Sequence, residues 1–410
     1  MEEKSREILI SEQMPGEING WLGIFIVFDL LFLPRLNFLI SIPASLIVVL
    51  AVLSTKSIGR NYLCVLLFIA LPIFASVLVS ARLAGSEDVV DNVKRALQLL
   101  SAIAYGFLFI RLANVRRVLT NLLRFFFIFA LCALFIFYGR SELYAVAISN
   151  IYTEAASSLQ DNYLYQRFPY IFADANSAGY YFAMILAGYL TLEKNWKWAV
   201  ICVPMGLIAI ASTQSRGAYI GAIAVAVAYF GSNRNLKLKL AILLLIILML
   251  SGFGMAYSEE IAGFLTLSEA RLDSEDDFGG GRFEKYLYFL DNINLLPFGT
   301  GYHLFREGLE FRPHSDFIRL NLAYGLFLAP ALLYYVFPRR RAQLVIFIIF
   351  AIPFFINTII DDYRLFCTYL IFYGLLGQDQ ALSDEVQSGA EHVKSVQYNV
   401  DTRPMAYVSD

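Results

Sequence analysis

The sequence predicts an all-α, polytopic integral membrane bundle of about twelve spanning helices, with one large polar loop on its outer side. Three observations predict it. Of the 410 residues, 58% are hydrophobic and only 16% are charged, whereas soluble domains carry about 25% charged residues. The apolar residues fall in long runs, each near the roughly 20 residues that a helix needs to cross a bilayer. Lys and Arg collect in alternate connections between those runs, an asymmetry that orients membrane proteins.

The predicted spans, in order, are 18–33, 36–53, 62–81, 97–112, 122–138, 175–192, 198–212, 217–231, 240–257, 317–337, 344–360 and 365–376. Pro34 and Arg35 divide the first apolar run into a tight hairpin. With residues 1–17 in the cytoplasm, the inward connections carry Lys56 and Arg60, then Arg111, Arg116, Arg117 and Arg124. They continue with Lys194 and Lys197, with Arg234, Lys237 and Lys239, and with Arg339, Arg340 and Arg341. The short outward turns carry little: Arg35, then Ser212 to Arg216, then Asp361 to Arg364. That orientation puts 82–96, 139–174, the turn 212–216 and the insert 258–313 outside. Within the insert, 283–292 has aromatics at helical spacing and suits an amphipathic helix at the membrane surface. Residues 18–377 thus form one transmembrane domain. The polar tail 378–410 lacks apolar periodicity and is expected to be disordered on the cytoplasmic side. The charged N-terminal segment is not a removable signal peptide.

Composition and motif content exclude several classes. A net charge of −2 offers nothing to nucleic acid. No phosphate-cradling Gly-Lys-Ser loop, nucleophile elbow or metal-spaced His/Cys cluster occurs, so neither metal nor cofactor is expected. Cys64, Cys132, Cys202 and Cys367 lie in apolar runs and read as small buried side chains. Gly279, Gly280 and Gly281 follow no strand and read as a hinge or tight turn. Asp29 is the main charge inside a predicted span, and a partner for it is not evident.

The candidate functional residues gather at the outer ends of spans. Arg216 sits in Ser-Thr-Gln-Ser-Arg-Gly, between two apolar helices, where an arginine is costly unless it is paired or faces a polar cavity. It also stands at a helix N-terminus, whose free N–H groups suit a phosphate; Ser215 precedes it. The plain alternative is an arginine snorkelling on an outward turn. Arg282 follows the three glycines in an insert with eleven acids against five bases, a net of −6. It is either an anion-binding group or the partner of a neighbouring acid. His314 opens the next span, followed by Ser315 and Asp316. An imidazole with an ordinary pKa of about 6.5 suits proton transfer near neutrality, and the alternative is a cap or packing residue. Arg167, Asp174 and Asn176 precede or open the span at 175, where capping and sugar binding are both open.

These elements resemble, in order, those of the bacterial O-antigen polymerase and O-antigen ligase superfamily. They are Arg167 to Gly179 entering a span, Ser-Thr-Gln-Ser-Arg-Gly-Ala at a helix junction, an outer loop with an arginine before Pro-Phe-Gly-Thr-Gly, and a histidine opening the next span. His314-Ser315, nine residues and Gly325 resemble the ligase-type motif, with a departure at Leu328, where that motif prefers Gly, Thr or Tyr. The likeness runs over about 167–329; the first five spans match in hydropathy alone.

The resemblance implies a GT-C-like, metal-independent glycosyltransferase in the inner membrane, with its active site facing the periplasm. It implies a glycan donor on undecaprenyl diphosphate, with Arg216 and Arg282 on the diphosphate and His314 accepting the proton of the acceptor hydroxyl. Arg167, Asp174, Asn176, Ser215 and Asp316 would then touch the substrates. The acceptor is either a lipid-linked repeat unit (polymerase) or lipid A core (ligase), and a chain-length regulator is a conceivable partner. The negative insert favours the polymerase, since it would repel a phosphorylated core. A twelve-span transporter or flippase is the rival class, set back by the absence of matching halves, and a non-catalytic assembly subunit is a third reading.

Overall fold

The computed structural model describes residues 20–32, 60–83, 86–109, 115–140, 142–144, 146, 166–172, 174–231, 286–287, 289–290, 298–299, 301, 305–306, 309–310, 315–339, 341–356, 360 and 364–376. These residues are almost entirely helical. The helices are α1 (Gly20–Phe32), α2 (Arg60–Leu83), α3 (Ser86–Phe109), α4 (Val115–Gly139), α5 (Ala175–Leu192), α6 (Trp196–Ser212) and α7 (Arg216–Gly231). They continue with α8 (Asp316–Tyr324), α9 (Leu328–Val336), α10 (Arg341–Ile356) and α11 (Arg364–Leu376). The insert holds a two-stranded antiparallel hairpin, β1 (Phe305–Arg306) with β2 (Leu309–Glu310), in the register Phe305↔Glu310 and Arg306↔Leu309. The predicted spans 36–53 and 240–257 and the hairpin at Pro34 lie outside the described residues. By length and apolar composition, Arg117–Gly139 is the one described helix that would cross a membrane by itself; Leu67–Arg82, Trp196–Ser212, Gly217–Ala226, Gln343–Phe355 and Arg364–Leu376 are shorter apolar helices.

α5 is the hub. It is buried along nearly its whole length, as a helix apolar on all sides must be, and it packs on α4, α6, α7 and α10. Small residues set the closest approaches. A Cβ at Gly179 would lie 2.7 Å from that of Ala218, and one at Gly221 3.8 Å from that of Ala183. These are small residues one turn apart, four positions on α5 and three on α7, and small residues at such spacing let helices touch backbone to backbone. The pairings also fix direction. Gly179 faces Ala218 and Ala183 faces Gly221, so α5 and α7 run in parallel. α11 runs with them, because Tyr181 and Arg364 both donate to the Leu30 carbonyl and Phe372 lies against Gly188. α10 runs the other way: Gln343 donates to the Tyr373 carbonyl at 2.9 Å, and Phe350 stacks on Tyr369 at 4.4 Å. The starts of α5, α7 and α11 and the end of α10 therefore share one end of the bundle.

The opposite end is fastened by one ion pair. Arg124 of α4 meets Glu193, the C-cap of α5, through Nε to Oε2 at 2.7 Å and Nη2 to Oε1 at 2.8 Å. The guanidinium also lies over the Trp198 ring at 5.0 Å. Glu193 accepts further from the Asn195 N–H and the Tyr189 hydroxyl. Burial raises its carboxyl pKa, but the hydrogen bonds from Arg124, Asn195 and Tyr189 outweigh that and hold it below its ordinary value. With the folded pKa depressed, this stabilisation is full above the unfolded carboxyl value of about 4.3 and is lost as pH falls through the lower folded value. Glu193→Gln is expected to remove that acid-side dependence from thermal midpoints measured in detergent. Arg124→Met, which strands a buried carboxylate, is expected to cost about 3 kcal/mol in the same measurement at neutral pH.

Four expectations need correction. α3 starts at Ser86, so most of the predicted outer loop 82–96 is helix; its charged first turns fail a hydropathy test while forming a helix readily. The predicted span 317–337 is two helices, broken after Tyr324 where Gly325 adopts φ +92°. Arg364 is not on an exposed turn but 9% exposed inside the bundle, where it faces Asp29 and donates to the carbonyls of Asp29 and Leu30. Tyr170 donates to the next carbonyl, Leu31, so the last carbonyls of α1 are capped by side chains from distant elements. Finally, Cys64 and Cys132 are exposed on the helix surface, while Cys202 and Cys367 are buried.

Candidate functional site

At the shared end of α5 and α7, three of the predicted residues form one network. The chain before α5 folds back into the bundle: Phe168 and Tyr170 are buried, and the Phe168 N–H donates to the Ser212 carbonyl at 2.8 Å. This brings Arg167 to the turn between α6 and α7. Its Nε donates to the Thr213 carbonyl at 3.2 Å and its Nη2 to Asn176 Oδ1 at 2.8 Å. Asp174 is the N-cap of α5, accepting from the N–H groups of Asn176 and Ser177. Of its two sequence readings, capping is the one visible in the fold. Ser215 is 1% exposed, and its Oγ accepts from the Ala218 N–H at 3.4 Å, which caps α7.

The turn itself is tight. Gln214 stands at φ +51°, a left-handed conformation uncommon outside glycine and frequent at functional sites. Arg216 follows as the first residue of α7; its side chain lies outside the described residues. A Cβ at Gly179 would press on Thr213 Oγ1 at 2.7 Å and on Ser215 Cβ at 2.8 Å. Gly179→Val is therefore expected to push this turn aside, at a cost of about 1–3 kcal/mol in thermal stability. Gly139→Val, where a Cβ meets nothing within 4 Å, is the control that should cost far less.

A second group forms around the start of α8. Ser315 is its N-cap, accepting from the Ile318 N–H. The Tyr286 hydroxyl lies 3.2 Å from Ser315 Oγ and also donates to the Phe355 carbonyl at the end of α10. Phe289 packs edge-on against Phe317 at 5.8 Å. The aromatic stretch of the insert thus turns Tyr286 and Phe289 onto the bundle, while Leu287 and Leu290 stay exposed. Asp316 is 1% exposed, with its Oδ2 accepting from the Ile360 N–H at 2.9 Å.

The Pro-Phe-Gly-Thr-Gly stretch docks at the other end of α8. Gly301 donates its N–H to the Ala323 carbonyl at 2.9 Å and adopts φ +103°. Gly299 donates to Ser76 Oγ at 3.2 Å, and its α-carbon lies so near Ala323 that a Cβ would overlap that residue's carbonyl. Asn92 of α3 completes the seat, donating to Ser80 Oγ at 2.6 Å. The N–H groups of Gly299 and Gly301 thus both find protein partners, as irregular backbone among packed helices requires.

Arg167, Asn176 and Ser215 therefore converge beside the start of α7, where Arg216 stands, and Asp174 caps the neighbouring α5. Asp316 belongs to the second group, held by α8 and Ile360. Arg282 and His314 lie outside the described residues. They stand four positions before Tyr286 and one before Ser315 in sequence. Arg216, at the start of α7, is five residues before Gly221; Phe355 is six after Ile349, which faces Gly221 at 3.9 Å. In helices running opposite ways, those steps lead to the same end. Sequence reasoning took Tyr286 only as one of the helically spaced aromatics of 283–292; its contacts with Ser315 and the Phe355 carbonyl are visible only in the fold. Among the described residues no group of His, Cys, Asp and Glu is arranged to hold a metal.

Residues 198–333 match the family model described as O-antigen ligase. The match takes in α6, α7, the insert, α8 and most of α9, with Ser215, Arg216, Arg282, His314 and Asp316. Comparison with curated proteins and with solved structures returns no match.

Proposed function

We propose, from the premise that residues 198–333 belong to the O-antigen ligase/polymerase superfamily, that the chain is a surface-polysaccharide polymerase. That superfamily comprises membrane-embedded, glycosyltransferase-like enzymes. In this reading the chain transfers a glycan from undecaprenyl diphosphate to a sugar hydroxyl of a lipid-linked repeat unit on the periplasmic face of the inner membrane, without a metal. The carrying observation is the gathering of the α7 start, the α10 end and the Tyr286–Ser315 pair at one end of the bundle. It supports a common site for Arg216, Arg282 and His314.

The chemistry follows from the charges. The bond between the anomeric carbon and the phosphate oxygen breaks, and the diphosphate leaves with the electron pair. The acceptor oxygen bonds to the anomeric carbon and gives its proton to His314. Negative charge grows on the leaving diphosphate, so prepositioned guanidinium forks stabilise the transition state more than the ground state. The N–H groups opening α7 add to the same field. Arg167, Asp174, Asn176 and Ser215 form the polar floor beside Arg216, and Asp316 stands beside the acceptor.

The insert's net charge of −6 disfavours a polyanionic acceptor, an effect screened beyond about 8–10 Å at physiological salt. The ligase reading has one observation in its favour: the matching family model is described by that activity. A defined lipid-diphosphate glycan, offered to the purified protein with no other lipid acceptor and no ion gradient, separates the readings. Elongated carrier-linked glycan is the expected product. Transfer only after lipid A core is added would identify a ligase, and no transfer with either acceptor would remove both.

A further inference from the structure

We infer that the crevice between α3 and α8 is the subsite that grips the terminal sugar of the acceptor, resting on the polymerase reading above. It is lined by Arg95 and Gln98 of α3, by Asp316 and Arg319 of α8, and by Phe366 of α11. Asp316 is 1% and Arg319 9% exposed. Two guanidinium groups and a carboxylate around one cavity inside an apolar bundle are expensive, and such groups mark substrate sites. Their side chains are planar donors and acceptors, the chemistry that reads sugar hydroxyls. Gln98 sits within reach of this set, accepting from Arg95 at 3.4 Å. The Phe366 ring supplies an apolar wall for the C–H face of a pyranose.

Position and size give the crevice its role. Asp316 is two residues after His314 in sequence, and the cavity it lines lies at the start of α8. Its volume of about 30 Å³ admits a hydroxyl or a water, not a ring. It therefore holds one edge of the terminal sugar and leaves the neighbouring hydroxyl at His314. That arrangement selects which hydroxyl is glycosylated. It is separate from the Arg216 turn, which is built by α5, α6 and α7.

The test is steady-state transfer between defined lipid-linked donor and acceptor glycans, varying each in turn. Gln98→Leu is expected to raise the acceptor KM at least tenfold and leave the donor KM where it was, with Gln98→Asn recovering part of the loss. Equal rises in both constants, or no change in either, would overturn the subsite while the polymerase reading stands. Failure of the wild-type protein to elongate the acceptor at all would overturn that reading and the subsite with it. Thermal midpoints of both variants within a few degrees of wild type show that the change is not unfolding.

Discussion

Gly299→Ala is expected to destabilise the protein by about 3 kcal/mol or more, at the upper end of the cost of overpacking a filled interior. The added methyl would overlap the Ala323 carbonyl, and that atom cannot swing aside as the tip of a side chain can. It belongs to the last turn of α8, and it accepts the hydrogen bond from Gly301 that seats the loop. The Ser76 contact would be lost as well, stranding a buried N–H. A lower thermal midpoint in detergent, with reduced yield from membranes, is the expected readout. Ser76→Ala, which leaves the backbone room intact, should cost only about 1–3 kcal/mol. If Gly299→Ala folds as well as wild type, the loop does not dock where α8 breaks.

The second large effect belongs to the proposed chemistry. Arg216→Ala and Arg282→Ala are each expected to lower transfer by about 10²–10³, the usual cost of deleting one donor to developing negative charge. His314→Ala should cost about 10²–10⁴ and flatten the pH dependence below neutrality. Lysine at either arginine keeps a charge but not the two-pronged geometry, so partial activity is expected. All three alanine variants should reach wild-type levels in the membrane. Full activity in all of them would leave a non-catalytic role for the chain.

Much of this was legible in the sequence because lipid simplifies the code. Apolar runs located helices in all ten predicted segments that fall among the described residues, and the Ser-Thr-Gln-Ser-Arg-Gly junction did prove to be a tight turn at a helix start. The pairing of Arg167 and Asn176 with that turn was hidden, although both residues had been singled out. Such pairings depend on which helices adjoin, and hydropathy is blind to that. The same blindness explains Arg364. Next to Asp361 and Asp362 it reads as a surface turn, and only the arrival of α1 shows what it serves. The break at Gly325 was missed because both halves are apolar. What splits them is a loop contributed by Gly299 and Gly301, more than twenty residues upstream.

The caps on α1 bear on how the chain is made. The carbonyls of Asp29, Leu30 and Leu31 receive their donors from Arg364, Tyr181 and Tyr170, and Arg364 emerges from the ribosome 334 residues after Leu30. During synthesis the Leu30 and Leu31 carbonyls gain donors once residues 170–181 are made, whereas the Asp29 carbonyl waits for Arg364 until α11 is made. A nascent chain stopped before residue 364 should stay open at its first helix and be recognised by membrane quality-control proteases, and co-expressing the missing C-terminal piece should rescue it.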